Sequence, residues 1–270
     1  GVIRIKDKNF KADFKGLIDY SSKIPNFKFS SNISKINFRN IKMPINKNVK
    51  NFSGDFVCDI SGDSFSNFNG YIIAENLYYK RDNKQNLNKL TLNFFNKNNE
   101  KNIIIDSDIG SGSFKGNYNF SSLRKYFKRK FNSILTSSRT DFLKKNNFEI
   151  QLNFKESSFF TNLFFDDFNL GKCSLNLSKN QNNLLISGKL NDLKYSFNSI
   201  NELSLNFNHS NEKDFEFLFF SQGYFNKKNN FLVDSLIFNS NSNSNSNKIN
   251  YAFSLVNINN ENDIDAYFSG

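Results

Sequence analysis

The stretch LNKLTLNFFNKNNEK, residues 87–101, returns further along the chain as INELSLNFNHSNEK, residues 200–213. Both copies place apolar residues at every second position and close on Asn-Glu-Lys. A period of two is typical of a β-strand with one apolar face. Repetition of such a strand is typical of an array in which each unit extends the sheet of its neighbour.

The similarity continues on both sides of the repeated strand. GYIIAENLYY, residues 70–79, precedes the first copy, and GKLNDLKY, residues 188–195, precedes the second. IIIDSDIGSGSF, residues 103–114, follows the first copy, and FEFLFFSQGYF, residues 215–225, follows the second. The sequence therefore predicts a meander of about four strands that occurs twice.

Alternation of this kind runs through most of the chain. In NFEIQLNF, residues 147–154, the apolar residues Phe148, Ile150 and Leu152 fall on one side and polar residues on the other. Clusters of Asn, Lys, Gly and Ser between such stretches are typical of hairpin turns. The prediction is a mainly β, antiparallel repeat. Alternation leaves open whether the sheet closes into a sandwich or barrel or stays open as a curved trough, since both put one parity inside.

One segment has helical spacing instead. SSLRKYFKRKFNSILTSS, residues 121–138, repeats its apolar residues every three to four positions, and Ser121 or Ser122 can serve as N-cap. An inserted amphipathic helix is therefore expected between a first β-repeat array, residues 1–120, and a second, residues 139–270. SNSNSNSN, residues 240–247, has no apolar face and predicts a flexible hairpin loop.

Composition permits a sizeable core but is skewed. Of 270 residues 38% are hydrophobic, 34 are Phe and about fifty are Asn. The net charge of +11 comes from Lys scattered along the chain, and no aromatic-basic module accompanies it, so nucleic-acid binding is not expected. The densest basic run, LRKYFKRK at residues 123–130, reads as a solvated helix face or as a contact for anionic lipid head groups or an acidic partner.

The titratable residues do not form a catalytic pattern. His209 lies in the stretch FNHSNEK, where a solvated imidazole is expected. Asp106 and Asp108 share one parity opposite to their apolar neighbours, and Asp166 and Asp167 follow two phenylalanines, so structural roles at turns and edges are predicted. Phosphate-loop, nucleophile-elbow and zinc motifs are absent from the sequence. The protein is expected not to be an enzyme and to need no metal or cofactor.

Cys58 and Cys173 each share the parity of apolar neighbours, which favours two buried thiols over a disulfide and leaves their pairing open. The chain contains no run of 18 apolar residues, and GVIRIKDKNF at its start is unlike a signal peptide. The missing initiator Met and the ending in mid-pattern indicate a fragment, whose export or anchoring signals would lie outside it.

NFKADFKGLIDYSSKIPNFKFSSNISKINFRNI contains a GLIDYS…P segment followed by an alternating strand. In this it resembles the GLIDxS…P segment of the TamB family, the AsmA-like translocation and assembly modules of diderm bacteria. IIIDSDIGSGSFKGNYNFSSLRKYFKRKF is similar to its pattern of apolar strand, Ser-Asp, Gly turn, G-x-[YF]-x-F strand and helix. The matching residues are Gly16, Leu17, Ile18, Asp19, Pro25, Ser107, Asp108, Gly116, Tyr118, Phe120 and Leu123.

The resemblance implies a periplasmic β-rich protein with an apolar groove, tethered to the inner membrane by a segment outside this chain. It implies two activities: conducting phospholipids between the membranes, and supporting assembly of outer-membrane barrel proteins with an outer-membrane barrel assembly protein as partner. Acyl chains need only a strip of Phe, Ile and Leu, which suits the residue inventory. The alternative is a structural or adhesive β-repeat of the cell surface with a closed core.

The apolar parity of the two repeated units supplies the predicted floor of the groove. These candidates for contact with phospholipid acyl chains occupy matched positions in both copies. They are Leu90, Leu92, Phe94, Ile103, Ile105, Leu203, Leu205, Phe207, Phe215, Phe217 and Phe219.

Overall fold

The structure, a computed structural model, describes residues 1–38, 45–64, 67–97, 100–117, 147–165, 168–180, 183–210, 214–242, 249–256 and 264–269. The chain forms two compact units. Unit 1 comprises Gly1–Ser113 with Phe154–Asn169, and unit 2 comprises Phe114–Asn153 with Leu170–Gly270. The helix predicted at residues 121–138 and most of the SNSNSNSN loop lie outside the described residues.

Unit 1 is an antiparallel meander. Its strands are β1 (Val2–Lys6), β2 (Phe10–Asp19), β3 (Asn26–Ile36), β4 (Lys50–Ser61), β5 (Asn69–Lys80), β6 (Lys84–Lys97) and β7 (Glu100–Ser107). Each strand pairs with the next along the chain. β8 (Gly110–Gly116) crosses the division between the units, and β10 (Phe168–Asn169) is a two-residue strand of unit 1.

Unit 2 continues the same construction. Its strands are β9 (Phe148–Phe154, whose last residue belongs to unit 1), β11 (Cys173–Asn180), β12 (Asn183–Tyr195), β13 (Asn198–Ser210), β14 (Asp214–Asn226), β15 (Phe231–Ser242), β16 (Ile249–Val256) and β17 (Ile264–Ser269). From β11 onward every strand pairs antiparallel with its successor. The prediction of a mainly β antiparallel fold is confirmed, and the described strands do not close into a barrel. The closed core of the alternative is therefore not the fold observed.

The repeat in the sequence is a repeat in the fold. β5, β6 and β7 carry the first copy with its flanks, and β12, β13 and β14 carry the second. Both copies interrupt the ladder at one matched position, where Asn76 in β5 and Asp192 in β12 each have φ of 53°. Left-handed backbone is uncommon outside Gly, and Asn and Asp tolerate it best. The repeat therefore includes this break in the strand pairing as well as the alternation of apolar and polar residues.

The described helix was not predicted. α1 (Ser158–Phe164) follows β9, and the described residues contain no other α-helix. Its residues Phe159 and Leu163, four positions apart, fall on one helix face and are buried. The sequence analysis placed this stretch within the second β-repeat array and named no helix in it, because a run of seven residues is too short for its period to stand out from alternation.

Each unit has its own hydrophobic core. In unit 1 the buried cluster is formed by residues of β3, β5, β6 and α1 and by two residues of the segment between β3 and β4. Its members are Ile36, Phe38, Val49, Ala74, Leu77, Tyr79, Leu87, Phe159 and Leu163. In unit 2 the cluster lies on β9, β11, β12 and β13; its members are Phe148, Ile150, Leu177, Leu184, Ile186 and Phe207.

Candidate functional site

The predicted groove residues share one face of the sheet in each unit. In β13 the side chain of Phe207 is 4% exposed, whereas Asn206 and Asn208 on either side of it are exposed. In β6 and β7 the buried residues Phe94 and Ile103 are followed by exposed Phe95 and Ile104. The alternation in sequence is thus an alternation in burial, as expected for a strand with one covered face.

Strand register places these residues in rows that cross the strands. In unit 1 Leu92 pairs with Ile72 on one side and with Ile105 on the other. Ile72 in turn pairs with Cys58, and Cys58 with Phe29. We call this set, Phe29, Cys58, Ile72, Leu92 and Ile105, the central row of unit 1. Its four large side chains are half-buried, and the smaller Cys58 between them is buried.

A loop covers the row on one side of this central row. The loop-side row consists of Phe27, Ile60, Gly70, Phe94 and Ile103. Phe68, from the segment between β4 and β5, packs its ring edge-on against that of Phe94 at 5.8 Å between centroids. Phe94 is consequently only 3% exposed.

The row on the other side lies under the helix. The helix-side row consists of Ser31, Phe56, Ala74, Leu90 and Ser107. Ala74 belongs to the buried cluster that contains Phe159 and Leu163 of α1, and Leu90 packs against that cluster. The central row therefore lies between a row on which Phe68 packs and a row that packs against the cluster containing α1. Its large side chains are half-buried, as are Phe56 and Leu90 of the helix-side row.

Unit 2 has a row at the matched position. Leu205, which corresponds to Leu92 in the repeat, pairs with Phe219, and Phe219 pairs with Phe238. The central row of unit 2 consists of Leu175, Gly188, Leu205, Phe219, Phe238 and Phe253, all half-buried. The next row contains the buried Phe207, which corresponds to Phe94. The same profile of burial along the strand recurs in both units.

The predicted floor is therefore divided among several rows. Leu92 and Ile105 lie in the central row of unit 1, whereas Phe94 and Ile103 lie in its loop-side row and Leu90 in its helix-side row. In unit 2, Leu205 and Phe219 lie in the central row. Phe207 pairs with Phe217 in the adjacent row on one side, and Phe215 lies one row beyond it. Leu203 lies in the adjacent row on the other side. Sequence reasoning omitted Phe29, Ile72 and Phe238, whose only signal was their parity within neighbouring strands.

Charged side chains pair on the face opposite the central rows. Lys28 Nζ lies 2.9 Å from a carboxylate oxygen of Asp59, and Lys189 Nζ lies 2.8 Å from Glu202. The hydrogen bond to Asp59, together with its negative charge, raises the pKa of Lys28. In the central rows the one titratable group is the thiol of Cys58, whose pKa is raised by burial and by the nearby charge of Asp59. The rows offer apolar surface to a ligand.

The position of His209 differs from the one expected from the sequence. The imidazole was expected in a solvated turn, but β13 extends to Ser210, so His209 keeps the inner parity of Phe207 and is 4% exposed. Its ring stacks against that of Phe207 at 6.2 Å between centroids, and it pairs with Phe215 across the sheet. The prediction of a solvated imidazole was wrong because the strand is longer than its apolar pattern.

Two of the four candidate carboxylates lie among the described residues. Asp106 and Asp108 are exposed, and Asp108 accepts hydrogen bonds of 3.2 Å from the backbone N–H groups of Asn88 and Lys89. Their predicted structural role at a strand edge is confirmed for Asp108. Asp166 and Asp167 lie outside the described residues. Among the described residues no three His, Cys, Asp or Glu side chains come together as a metal site would require.

The two cysteines are free thiols. Cys58 is buried and Cys173 is half-buried, and burial raises the pKa of both. The expectation of two buried strand thiols in place of a disulfide holds for Cys58, whereas the free thiol of Cys173 is only half-buried. In the part of the chain that the structure describes, no helix has the length and apolar character needed to cross a membrane.

Comparison with known proteins adds no relative. The chain matches no protein-family model, no curated protein and no solved structure. The geometry of the rows and the resemblance in sequence are therefore what bears on function.

Proposed function

We propose that the protein carries phospholipids along its apolar sheet face, with the acyl chains lying on the central rows. The observation that supports this most is the half-buried stripe of large apolar residues at matched positions of both units. A folded protein commonly covers such side chains, and apolar surface that stays accessible in a contiguous patch is typical of an interaction site.

The chemistry of the stripe favours an acyl chain over an extended peptide. A peptide laid on the face of a sheet, away from its edges, would leave its own N–H and C=O groups without partners, at a cost of roughly 1–3 kcal/mol for each. An acyl chain has no such groups. Each methylene that it buries contributes about 0.8 kcal/mol, so a dozen methylenes suffice for binding without any polar contact.

From the resemblance to the TamB family we infer that this activity is periplasmic and that the protein acts as a bridge between inner and outer membrane. That location, the inner-membrane anchor outside this chain, and support of outer-membrane protein assembly with a barrel assembly partner rest on the resemblance. The open sheet is compatible with them, since an acyl chain must reach the apolar face from outside. A structural or adhesive role would leave the stripe without a ligand.

Photocrosslinking from single positions tests the proposal. A photoreactive amino acid is placed at Leu92 or Leu205 in the central rows, and at Asn93 or Asn206 on the opposite face as matched controls one residue away. Lipid adducts are expected at the two leucine positions and not at the asparagines. Equal labelling of both faces, or no lipid adduct from a folded protein, would contradict a lipid-carrying role.

A charge in the stripe tests transport itself. Leu92→Asp and Leu205→Asp place a carboxylate under the acyl chain, and burying it there costs several kcal/mol. Asn93→Asp makes the same chemical change on the opposite face. Lipid transfer between donor and acceptor vesicles is expected to fall at least tenfold for the leucine variants and to stay unchanged for Asn93→Asp.

A further inference from the structure

Exposed aromatic side chains of unit 2 lie at two neighbouring turns. Tyr195 ends β12, Phe197 lies in the turn that follows, and Phe231 begins β15 after the turn from β14. They are 58%, 57% and 49% exposed and are the three most exposed large hydrophobic side chains among the described residues of unit 2. Strand register places the two turns side by side, since Asn198, next to Phe197, pairs with Asn226 at the end of β14. We call residues 194–198 and 226–231 the turn surface.

The first turn does not need an aromatic residue for its geometry. It has two residues, Ser196 and Phe197, and Ser196 has φ of 54°. Two-residue hairpin turns ordinarily take Asn-Gly or begin with Gly, because left-handed backbone is unfavourable for a residue with a Cβ. Phe197 does not serve that preference, and more than half of its side chain is exposed. An exposed aromatic residue that neither the turn nor the core requires points to a contact outside the fold.

Lysines accompany the aromatic residues. Lys194 precedes the first turn, Lys227 and Lys228 lie in the second, and all three are exposed. The segments 193–200 and 224–233, which form this end of the strands, contain no Asp or Glu. At the other end of the same strands the connecting stretches read KNQNN, residues 179–183, and SNEKD, residues 210–214, without an aromatic residue. One end of these hairpins is therefore both aromatic and basic.

Several polar groups of the turn surface are hydrogen-bonded within unit 2. The backbone N–H of Lys227 donates to the carbonyl of Phe197 at 2.8 Å, which ties the two turns together. The side-chain oxygen of Asn198 accepts from the hydroxyl of Tyr224 at 2.7 Å and from Nδ2 of Asn226 at 2.9 Å. The side-chain oxygen of Asn226 accepts two backbone N–H bonds of 3.0 Å from the second turn. Groups that already have partners lose water at little cost when another surface covers them.

We propose that the turn surface docks on a phospholipid membrane that contains anionic lipids. Aromatic rings are favoured at the level of the head groups, where Tyr195, Phe197 and Phe231 enter. Lysines contact the anionic head groups, and each one close to such a surface strengthens binding by roughly fivefold. A fluid interface takes up separate protruding rings without a complementary pocket. This docking goes beyond the lipid-carrying function and stands without it.

Tryptophan fluorescence tests the docking, because the chain contains no Trp and an introduced one reports on its own position. Phe197→Trp and Phe231→Trp place the probe in the turn surface. Leu185→Trp is the matched control, since Leu185 is 47% exposed on β12 of the same unit. With vesicles of equal parts phosphatidylcholine and phosphatidylglycerol, the emission of the two turn probes is expected to shift to the blue and to be quenched by brominated acyl chains. No shift at the turn positions, or the same shift at Leu185→Trp, would overturn the docking surface.

Vesicle co-sedimentation measures what the lysines contribute. Lys227→Gln with Lys228→Gln is expected to lower the affinity for these vesicles by about tenfold or more. Lys80→Gln with Lys84→Gln removes the same charge beside the turn between β5 and β6 of unit 1 and is expected to leave the affinity unchanged. All four lysines are exposed, so both variants should keep the fold. An equal loss for the two pairs would show attraction by net charge alone and would overturn the proposal.

An acidic protein is the other partner whose charge fits the lysines, and poly-glutamate represents it in the same assay. A blue shift of Phe197→Trp with poly-glutamate and none with the vesicles would overturn the lipid surface in favour of a protein partner. Docking and lipid carriage are measured separately. Lipid transfer that fails in a protein whose turn probes still shift would contradict carriage and support docking.

Discussion

The carboxylate of Asp55 holds the left-handed residue Asn76 in place by accepting a 3.1 Å hydrogen bond from the side-chain Nδ2 of Asn76. Asn32 donates a second hydrogen bond, of 2.7 Å, to the same carboxylate from the strand on the other side. The pairing of β4 with β5 shifts register between Ser53 and Asp55, so Asp55 links three strands where the ladder is irregular.

These hydrogen bonds predict a pH dependence of stability. The bond from Asn76, followed by that from Asn32, lowers the pKa of Asp55 below its ordinary value of 3.8. A carboxyl group whose pKa is depressed by folding adds stability above its unfolded pKa, and that stability is lost as pH falls through the folded value. Asp55→Asn should therefore be less stable than the parent at pH 7 by up to about 1 kcal/mol.

The check is urea unfolding at a series of pH values. The difference between the parent and Asp55→Asn is expected to narrow below about pH 4. A difference that stays constant from pH 7 to pH 2 would show that the charge of Asp55 contributes nothing. Asp106→Asn, which changes an exposed aspartate of β7, serves as control.

Gly70 in β5 is predicted to tolerate no side chain. Its φ is 130°, and a Cβ at this position would collide with the backbone carbonyl of Asp59 in the neighbouring strand. Gly70→Ala is expected to lower the free energy of unfolding by more than about 2 kcal/mol. Gly188→Ala is the matched control, because its Cβ would come nearest to the side-chain tip of Leu175 at 3.3 Å and would lie at an ordinary contact distance of 3.6 Å from the carbonyl of Ser174. Equal urea midpoints for the two variants would contradict this reading.

Phe94 and its neighbour Phe95 make a matched pair for the core. The first is 3% and the second 36% exposed. Phe94→Ala should cost about 3–5 kcal/mol through lost burial and a cavity, whereas Phe95→Ala should change stability by less than about 1 kcal/mol. Thermal unfolding followed by circular dichroism measures both, and a larger loss for Phe95→Ala would mean that the two faces are assigned the wrong way round.

Tyr79 tests the attachment of α1. Removing its hydroxyl leaves the carbonyl of Phe159 unpaired in a buried site, so Tyr79→Phe is expected to cost about 1–3 kcal/mol. Tyr20→Phe, whose side chain is 70% exposed, should cost nothing measurable. Burial also raises the pKa of Tyr79 well above that of an ordinary phenol. In an ultraviolet titration Tyr79 should consequently be the last tyrosine to ionise, and ionisation with the others would place it in water.

Much of the fold could be predicted because its signal is local. The parity of Leu92, Phe94 and their counterparts Leu205 and Phe207 identifies strand, face and repeat without any knowledge of partners. Parity does not reveal which residues of a face are covered by other segments of the chain. Phe94 and Leu92 have the same parity in sequence, but Phe68, which precedes β5, packs on Phe94, so Phe94 is buried whereas Leu92 is half-buried.

The sequence therefore predicted which sheet face carries the candidate site, but not how the residues of that face divide into rows. His209 shows a related limit, since a strand that continues past its apolar run carries a polar residue inward, and only the register reveals it. α1 shows another, because its placement depends on the hydrogen bond from Tyr79, 80 residues earlier in the chain. Such contacts join distant residues that composition and periodicity treat as independent.

The shared break at Asn76 and Asp192 bears on how such a chain could grow in evolution. A gene segment that encodes one unit already specifies its own irregular position and the phase of its central row. Tandem duplication would therefore add strands in the correct phase at once, without any later correction of turns. Selection could then act directly on the number of repeated units in the chain.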